Sequence, residues 1–284
     1  MSIPGTHPTI EGAGIRRGDA SRLRVPPMII AVGRGFVGAL LVTVAYQLVH
    51  WSNIVDPRVL PSVVAILAEM ARLTVNTDYL VAVLQTLLPA LVGLLVGAAI
   101  AIPLGFLIGL SPLANRITRG TIDIMRSLPA TALIPVLIVT VGQDNLMKSM
   151  VVVYVTTWPI LFNTMYGALS VDKVAIESAR TCRVDGWRLL VRVMLPSAGP
   201  FIATGIRYAL PISIVIVIAA ELVVGSPEGI GGYLLTQQAN VVYRADVIYA
   251  VLLAAGIVGF VLNLAMDSLC DRLVGWETRR GEQS

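Results

Sequence analysis

The sequence predicts an all-α, polytopic membrane protein of about six transmembrane helices. The chain of 284 residues is 56% hydrophobic and 13% charged, more apolar surface than a soluble domain can hide. Its apolar residues gather in six runs, at about 28–50, 80–110, 124–142, 147–169, 198–224 and 245–269. Each run is near the ~20 residues that cross ~30 Å of hydrocarbon, and the second is long enough to tilt. The basic residues also divide unevenly between alternate loops, as they do in membrane proteins.

Residues 1–27 carry Arg16, Arg17, Arg22 and Arg24 among Pro4, Gly5, Pro8, Gly12 and Gly14. They have no apolar core, so they read as a disordered basic tail, not a cleaved signal peptide. The membrane domain is expected over 28–270, with a short tail over 271–284. With the N-terminus inside, only Arg58, Arg72, Lys148 and Arg244 of the 21 basic residues fall outside. Positive-inside asymmetry then places both termini and the charged segment 170–197 in the cytoplasm. The net charge of +4 is a topology signal of this kind, and no nucleic-acid partner is expected.

Between Asp56 and Asp78, Val64, Leu67, Ala68 and Ala71 recur at helical spacing with Glu69 and Arg72 opposite. This predicts a short helix that lies on the outer membrane surface or packs outside the membrane. Span two holds Gly93-x-x-x-Gly97 and Gly105-x-x-x-Gly109, steps that admit another helix closely, with Pro103 as a kink between them. Span three opens with Arg126-Ser127-Leu128-Pro129 and contains Pro135. Span four has Trp158-Pro159 and Asn163, and span five has Pro211, Ser213 and Glu221. Prolines in successive spans imply bent helices with freed carbonyls facing protein or water, which suits a translocation path. Its candidate residues are Asn163, Arg207, Ser213 and Glu221.

Glu221 is the ionisable residue read as lying well inside a span. A carboxylate in hydrocarbon costs at least ~2.5 kcal/mol, so Glu221 should face protein or water. It either ties its span to a neighbour or to the glycine-rich outer segment Gly229–Gly232 as a gate support, or it contacts a cationic or neutral substrate.

The segment 170–197 is amphipathic and charged. Asp172 is a candidate N-cap, and Val174, Ala175, Ser178 and Ala179 form a small face flanked by Glu177 and Arg180. Asp185 is a second candidate cap, and Leu195-Pro196 is expected to end the second helix. Glu177-Ser178-Ala179, followed by Val193-Met194-Leu195-Pro196, resembles the EAA loop of permease subunits of bacterial ABC importers. Leu104–Gly109, Met125–Pro129, Leu161–Thr164, Gly205–Leu210, Ala220–Leu222 and Gly229–Leu234 are similar to stretches of the nitrate/sulfonate/taurine-type permeases.

The resemblance implies a type I importer permease core in the bacterial cytoplasmic (inner) membrane. Such a chain is a non-catalytic transport subunit, coupled through this loop to two ATPase subunits that bind ATP-Mg. A second permease chain, giving a homodimer, and an extracytoplasmic substrate-binding protein complete the set. The implied coupling residues are Val174, Glu177, Ser178, Ala179, Arg180, Arg183, Gly186, Leu195 and Pro196. Arg183 stands where the family has Gly, which supplies a left-handed turn that Arg adopts only at ~1 kcal/mol or more. Alternatively, Gly186 makes the break and the first helix lengthens by almost a turn, or Arg183 reaches an acidic group on the ATPase.

The sequence has no P-loop, and its two lysines are Lys148 and Lys173, so ATP must bind elsewhere. Cys182 and Cys270 lie on the reducing side, and His7 and His50 lack neighbouring ligands, so neither disulfide nor metal is expected. The alternatives to a permease are an ion-coupled secondary transporter, which needs paired intramembrane charges, and an intramembrane enzyme, which needs a His, Asp or metal cluster.

Overall fold

The computed structural model describes residues 27–52, 54–56, 58–239 and 244–274. Apart from Pro27, the expected basic tail lies outside them, as do His7 and residues 275–284. The chain divides into two units, residues 1–49 and 50–284. Most of α1 (Pro27–Trp51) belongs to the first.

The second unit contains α2 (Val63–Leu73), α3 (Thr77–Leu110), α4 (Pro112–Ser127), α5 (Ala130–Val141), α6 (Asn145–Leu169) and α7 (Lys173–Thr181). After α7 come α8 (Gly186–Leu189), a π-helical turn over Leu190–Met194, α9 (Leu195–Val224), α10 (Gly229–Ala239) and α11 (Ala245–Val274). No strand occurs among the described residues. The expected boundary at 270 falls inside α11.

Four described helices are long and apolar enough to cross a bilayer: 77–110, 145–169, 186–224 and 245–272. The number reaches five if α4 and α5 count as one broken span. The expected third span over 124–142, read as bent by its prolines, is broken into two helices at Leu128–Pro129. Pro129 holds Leu128 extended, at φ −72° and ψ 125°, and α4 and α5 diverge by 83° across the break. A residue before proline is pushed out of the helical region, which accounts for the bend. The twelve residues of α5 rise only ~18 Å.

Helices α3, α6 and α9 form the centre, with α5 and α10 against them and α11 against α9 and α2. The glycines of α3 explain its seam with α6. A Cβ at Gly93 would lie 2.5 Å from Val152 Cβ, at Gly97 2.4 Å from Thr156 Oγ1, and at Gly105 2.6 Å from Thr164 Cβ. The two small-residue steps thus meet one face of α6 in register, and no side chain fits between the backbones. Gly205 of α9 meets the other side of α6 at Ile160 and Asn163.

Ser62, Asn76 and Ser111 cap α2, α3 and α4 through their side chains, which satisfies amide groups free at a helix start. Helix α2 buries Ile66 and Leu73 and leaves Val64, Leu67, Ala68 and Ala71 exposed. The expected helix exists, and it packs through the face opposite its small apolar stripe. Glu69 binds Arg244 at 2.6 Å. Bonds from Asp246 and then Glu69 hold the Arg244 guanidinium above its ordinary pKa, fastening α2 to the start of α11.

Candidate functional site

Helix α7 begins where Asp172 Oδ1 accepts the Val174 amide at 2.9 Å. It ends in a Schellman motif: the Arg183 amide bonds the Arg180 carbonyl at 2.9 Å, and the Val184 amide bonds the Ala179 carbonyl at 3.0 Å. The residue closing that motif must be left-handed. Arg183 takes it, at φ 59°, the one non-glycine residue with positive φ among those described. The helix is therefore not lengthened to Gly186, which carries a second positive φ of 56°. Arg183 is exposed.

The faces of α7 differ in part from the sequence reading. Val174, Ala175, Glu177, Ser178 and Arg180 are exposed. Ala179 instead turns inward with Ile176 and Val184, against a core of Phe106, Leu189, Met194 and Ala198. The signal missed was Ile176, the large apolar residue that decides which face is buried.

Asp185 precedes α8 without a side-chain cap. Leu195-Pro196 does not end a helix, because Gly186–Val224 is one 39-residue run. The π-helical turn just before it explains how Pro196 is accommodated. A proline ring clashes with the carbonyl four residues back and donates no amide, and a widened turn relieves both.

At the other end of α9, Glu221 is completely buried, and so is Lys148 at 1% exposure. Lys148 Nζ lies 3.2 Å from Glu221 Oε1. Thr86 Oγ1 is 3.0 Å from both carboxylate oxygens, and the Gly231 amide donates to Oε2 at 2.9 Å. The Ile230 amide donates to Thr86 Oγ1 at 2.8 Å, and the Gly229 amide to Gln85 Oε1 at 3.0 Å. The free amides at the start of α10 are thus taken by side chains of α3 and α9, with a carboxylate at the positive end of the helix. A Cβ at Gly229 would lie 2.0 Å from Glu221 Oε1, and Gly229 has φ +81°. The glycines are required for this approach.

The sequence reading counts Lys148 among the outer basic residues and names no charged partner for Glu221; the structure pairs the two. The available signal was that Lys148 lies within a turn of the start of span four.

The four candidate path residues are not brought together. Asn163 Nδ2 donates to the Pro159 carbonyl at 2.8 Å, and Ser213 Oγ to the Leu210 carbonyl at 2.6 Å, each within its own helix. Arg207 ties α9 to α11 through Asp267 at 3.1 Å and Asp271 at 2.6 Å. None of them lines the polar cavity of about 540 Å³ between α4 and α6, whose walls include Asn115, Thr118, Arg119, Asp123, Arg126 and Phe162. Arg126 stacks over Phe162 at 5.4 Å. No group of three metal-ligating side chains occurs among the described residues, both cysteines are free, and His50 donates to the Leu60 carbonyl at 2.7 Å.

Long apolar helices, a broken span and a short amphipathic helix packed on the base of α9 make this the architecture of a multi-helix membrane protein. The chain belongs to the family of binding-protein-dependent transport system inner membrane components, whose profile matches residues 101–276. It is 31% identical over 221 residues to a probable ABC transporter permease protein of Brucella abortus (strain 2308), covering 78% of this chain and 87% of that one. It is 29% identical over 234 residues to the putative aliphatic sulfonates transport permease protein SsuC of Escherichia coli (strain K12), covering 81% and 86%. A chain of the inward-facing MetNI methionine ABC transporter shares its fold, with a TM-score of 0.57 at 21% identity, covering 68% of this chain and 94% of that one. The fold is that of an ABC importer permease, a non-catalytic, multi-pass component.

Proposed function

We propose that this chain forms the solute path of an ATP-driven importer and receives the ATPase stroke through α7. Two copies would pair with two ATPase subunits carrying ATP-Mg, and an extracytoplasmic binding protein would deliver the solute. The observation that supports this is the two-faced seating of α7. Val174, Ala175, Glu177 and Ser178 stand free for a groove on the ATPase, while Ile176 and Ala179 anchor the helix on the base of α9. A push on the free face then moves a helix that spans the membrane. Both termini and α7 lie in the cytoplasm in this reading.

Ser178→Trp is the direct test. It should abolish ATP hydrolysis stimulated by loaded binding protein while the chain still inserts and purifies. Full stimulation in the Ser178→Trp complex would show that α7 is not the coupling element.

We assign the solute to small oxyanions or sulfonates. A relative named for aliphatic sulfonates supports this, as does the cavity wall bearing Arg119 and Arg126. A ligand screen of the partner binding protein checks it, and selective binding of a cation would overturn it. An ion-coupled carrier needs a buried charge pair, and Lys148–Glu221 is one. The Glu221 carboxylate is nevertheless also held by Thr86 and by the Gly231 amide of α10, which suits a support for the outer gate.

A further inference from the structure

Between the last turns of α3 and the start of the long helix runs an apolar groove of about 610 Å³. Phe106, Leu107 and Leu110 form one wall, and Trp187, Val191 and Leu195 the other. The second set recurs every four residues, so it is one stripe. Trp187 is 74% exposed and Leu107 66%. The groove is continuous with the exposed apolar flank of α3 at Leu104 and Leu107, the kind of surface a span turns to lipid. Arg188 and Arg192 occupy the adjacent stripe of the same helix. Both are exposed, and neither forms an ion pair among the described residues. An apolar slot, an aromatic residue at its mouth and two unpaired cations beside it match the order of a phospholipid: acyl chain, interface, phosphate.

We propose that this groove holds an acyl chain of an anionic phospholipid from the cytoplasmic leaflet, with its phosphate on Arg188 and Arg192. The assignment rests on the cytoplasmic placement of α7 and α8 above. A lipid seated there touches the segment that joins α7 to α9, so the composition of the inner leaflet bears on that joint. A peptide partner fits less well, because the slot offers apolar wall and no free backbone edge.

The test is native mass spectrometry of the purified full-length chain in detergent. It is titrated with phosphatidylglycerol or with phosphatidylcholine of the same chain length. The wild type should bind phosphatidylglycerol more tightly. Arg188→Gln and Arg192→Gln should each lower that preference about fivefold, the equivalent of the ~1 kcal/mol that a basic residue gains near an anionic surface. Leu107→Trp, which fills the slot, should weaken both lipids alike with monodisperse elution intact.

Equal affinity for the two lipids, or an unchanged preference in the double arginine variant, would overturn the proposal. So would a Leu107→Trp variant that loses dimer mass without losing lipid, which would give the groove to a second copy. No ATPase is present in the assay, so a failure of coupling through α7 leaves this result independent. An error of sidedness shows separately, in surface labelling.

Discussion

Arg183 is a residue whose backbone requirement and side chain disagree. Its left-handed φ of 59° costs an L-residue roughly 1–2 kcal/mol. Arg183→Gly should therefore raise the stability of the α7 turn by about 1 kcal/mol, read as a higher thermal midpoint of the detergent-solubilised chain. Normal coupling in that variant would show that Arg183 makes no specific contact with an ATPase.

The buried pair gives the opposite result. Removing one member of a buried ion pair strands the other, at about 3–5 kcal/mol. Lys148→Met and Glu221→Gln should each destabilise by that order. The double variant should cost less than their sum, because no charge is left unpaired. Lys148, 3.2 Å away, is what makes the loss of the Glu221 charge costly.

Among elements, the α3–α6 seam was legible and its partner was not. Two Gly-x-x-x-Gly steps announce that a backbone comes close; which backbone depends on the fold. Gly97→Ala should weaken the seam by about 1–3 kcal/mol through overpacking, because its methyl meets Thr156 Oγ1 at 2.4 Å. Thr156→Ala should restore part of the loss, and strict additivity of the two would place the seam elsewhere. Proline gave two different outcomes. Pro129 bends the chain because it forces Leu128 extended, whereas Pro196 is absorbed in a π-helical turn. Proline states a local conflict, and neighbouring packing chooses how it is relieved. On α7, Ile176 and Ala179 point inward, so Ala179→Trp should lower stability as well as coupling, while Ser178→Trp should lower coupling alone.

On the scale of the molecule, the proposed orientation gives a labelling result. An impermeant thiol reagent on intact cells should modify Gln143→Cys and spare Ser178→Cys, in a background without Cys182 and Cys270. The reverse pattern would invert the topology. The proposed homodimer should appear as two permease chains per complex in a native mass, and one chain would refute it.

The membrane class, the six apolar runs, the charge asymmetry and the amphipathic, charged character of 170–197 are all legible in the sequence, because each depends on composition or local spacing. Chain-local chemistry also predicts the Asp172 cap, whereas the left-handed turn at Arg183 is one of the alternatives that the family resemblance raises. Only the tertiary structure decides that Lys148 is Glu221's partner, that Thr86 and Gly231 complete the network and that Ala179 turns inward. Those facts join residues far apart in the chain, or depend on which of two faces a helix buries. A hydrophobic pattern carries no information on pairing across space; packing supplies it, and favours the approach that gives a buried charge such as Glu221 its partners.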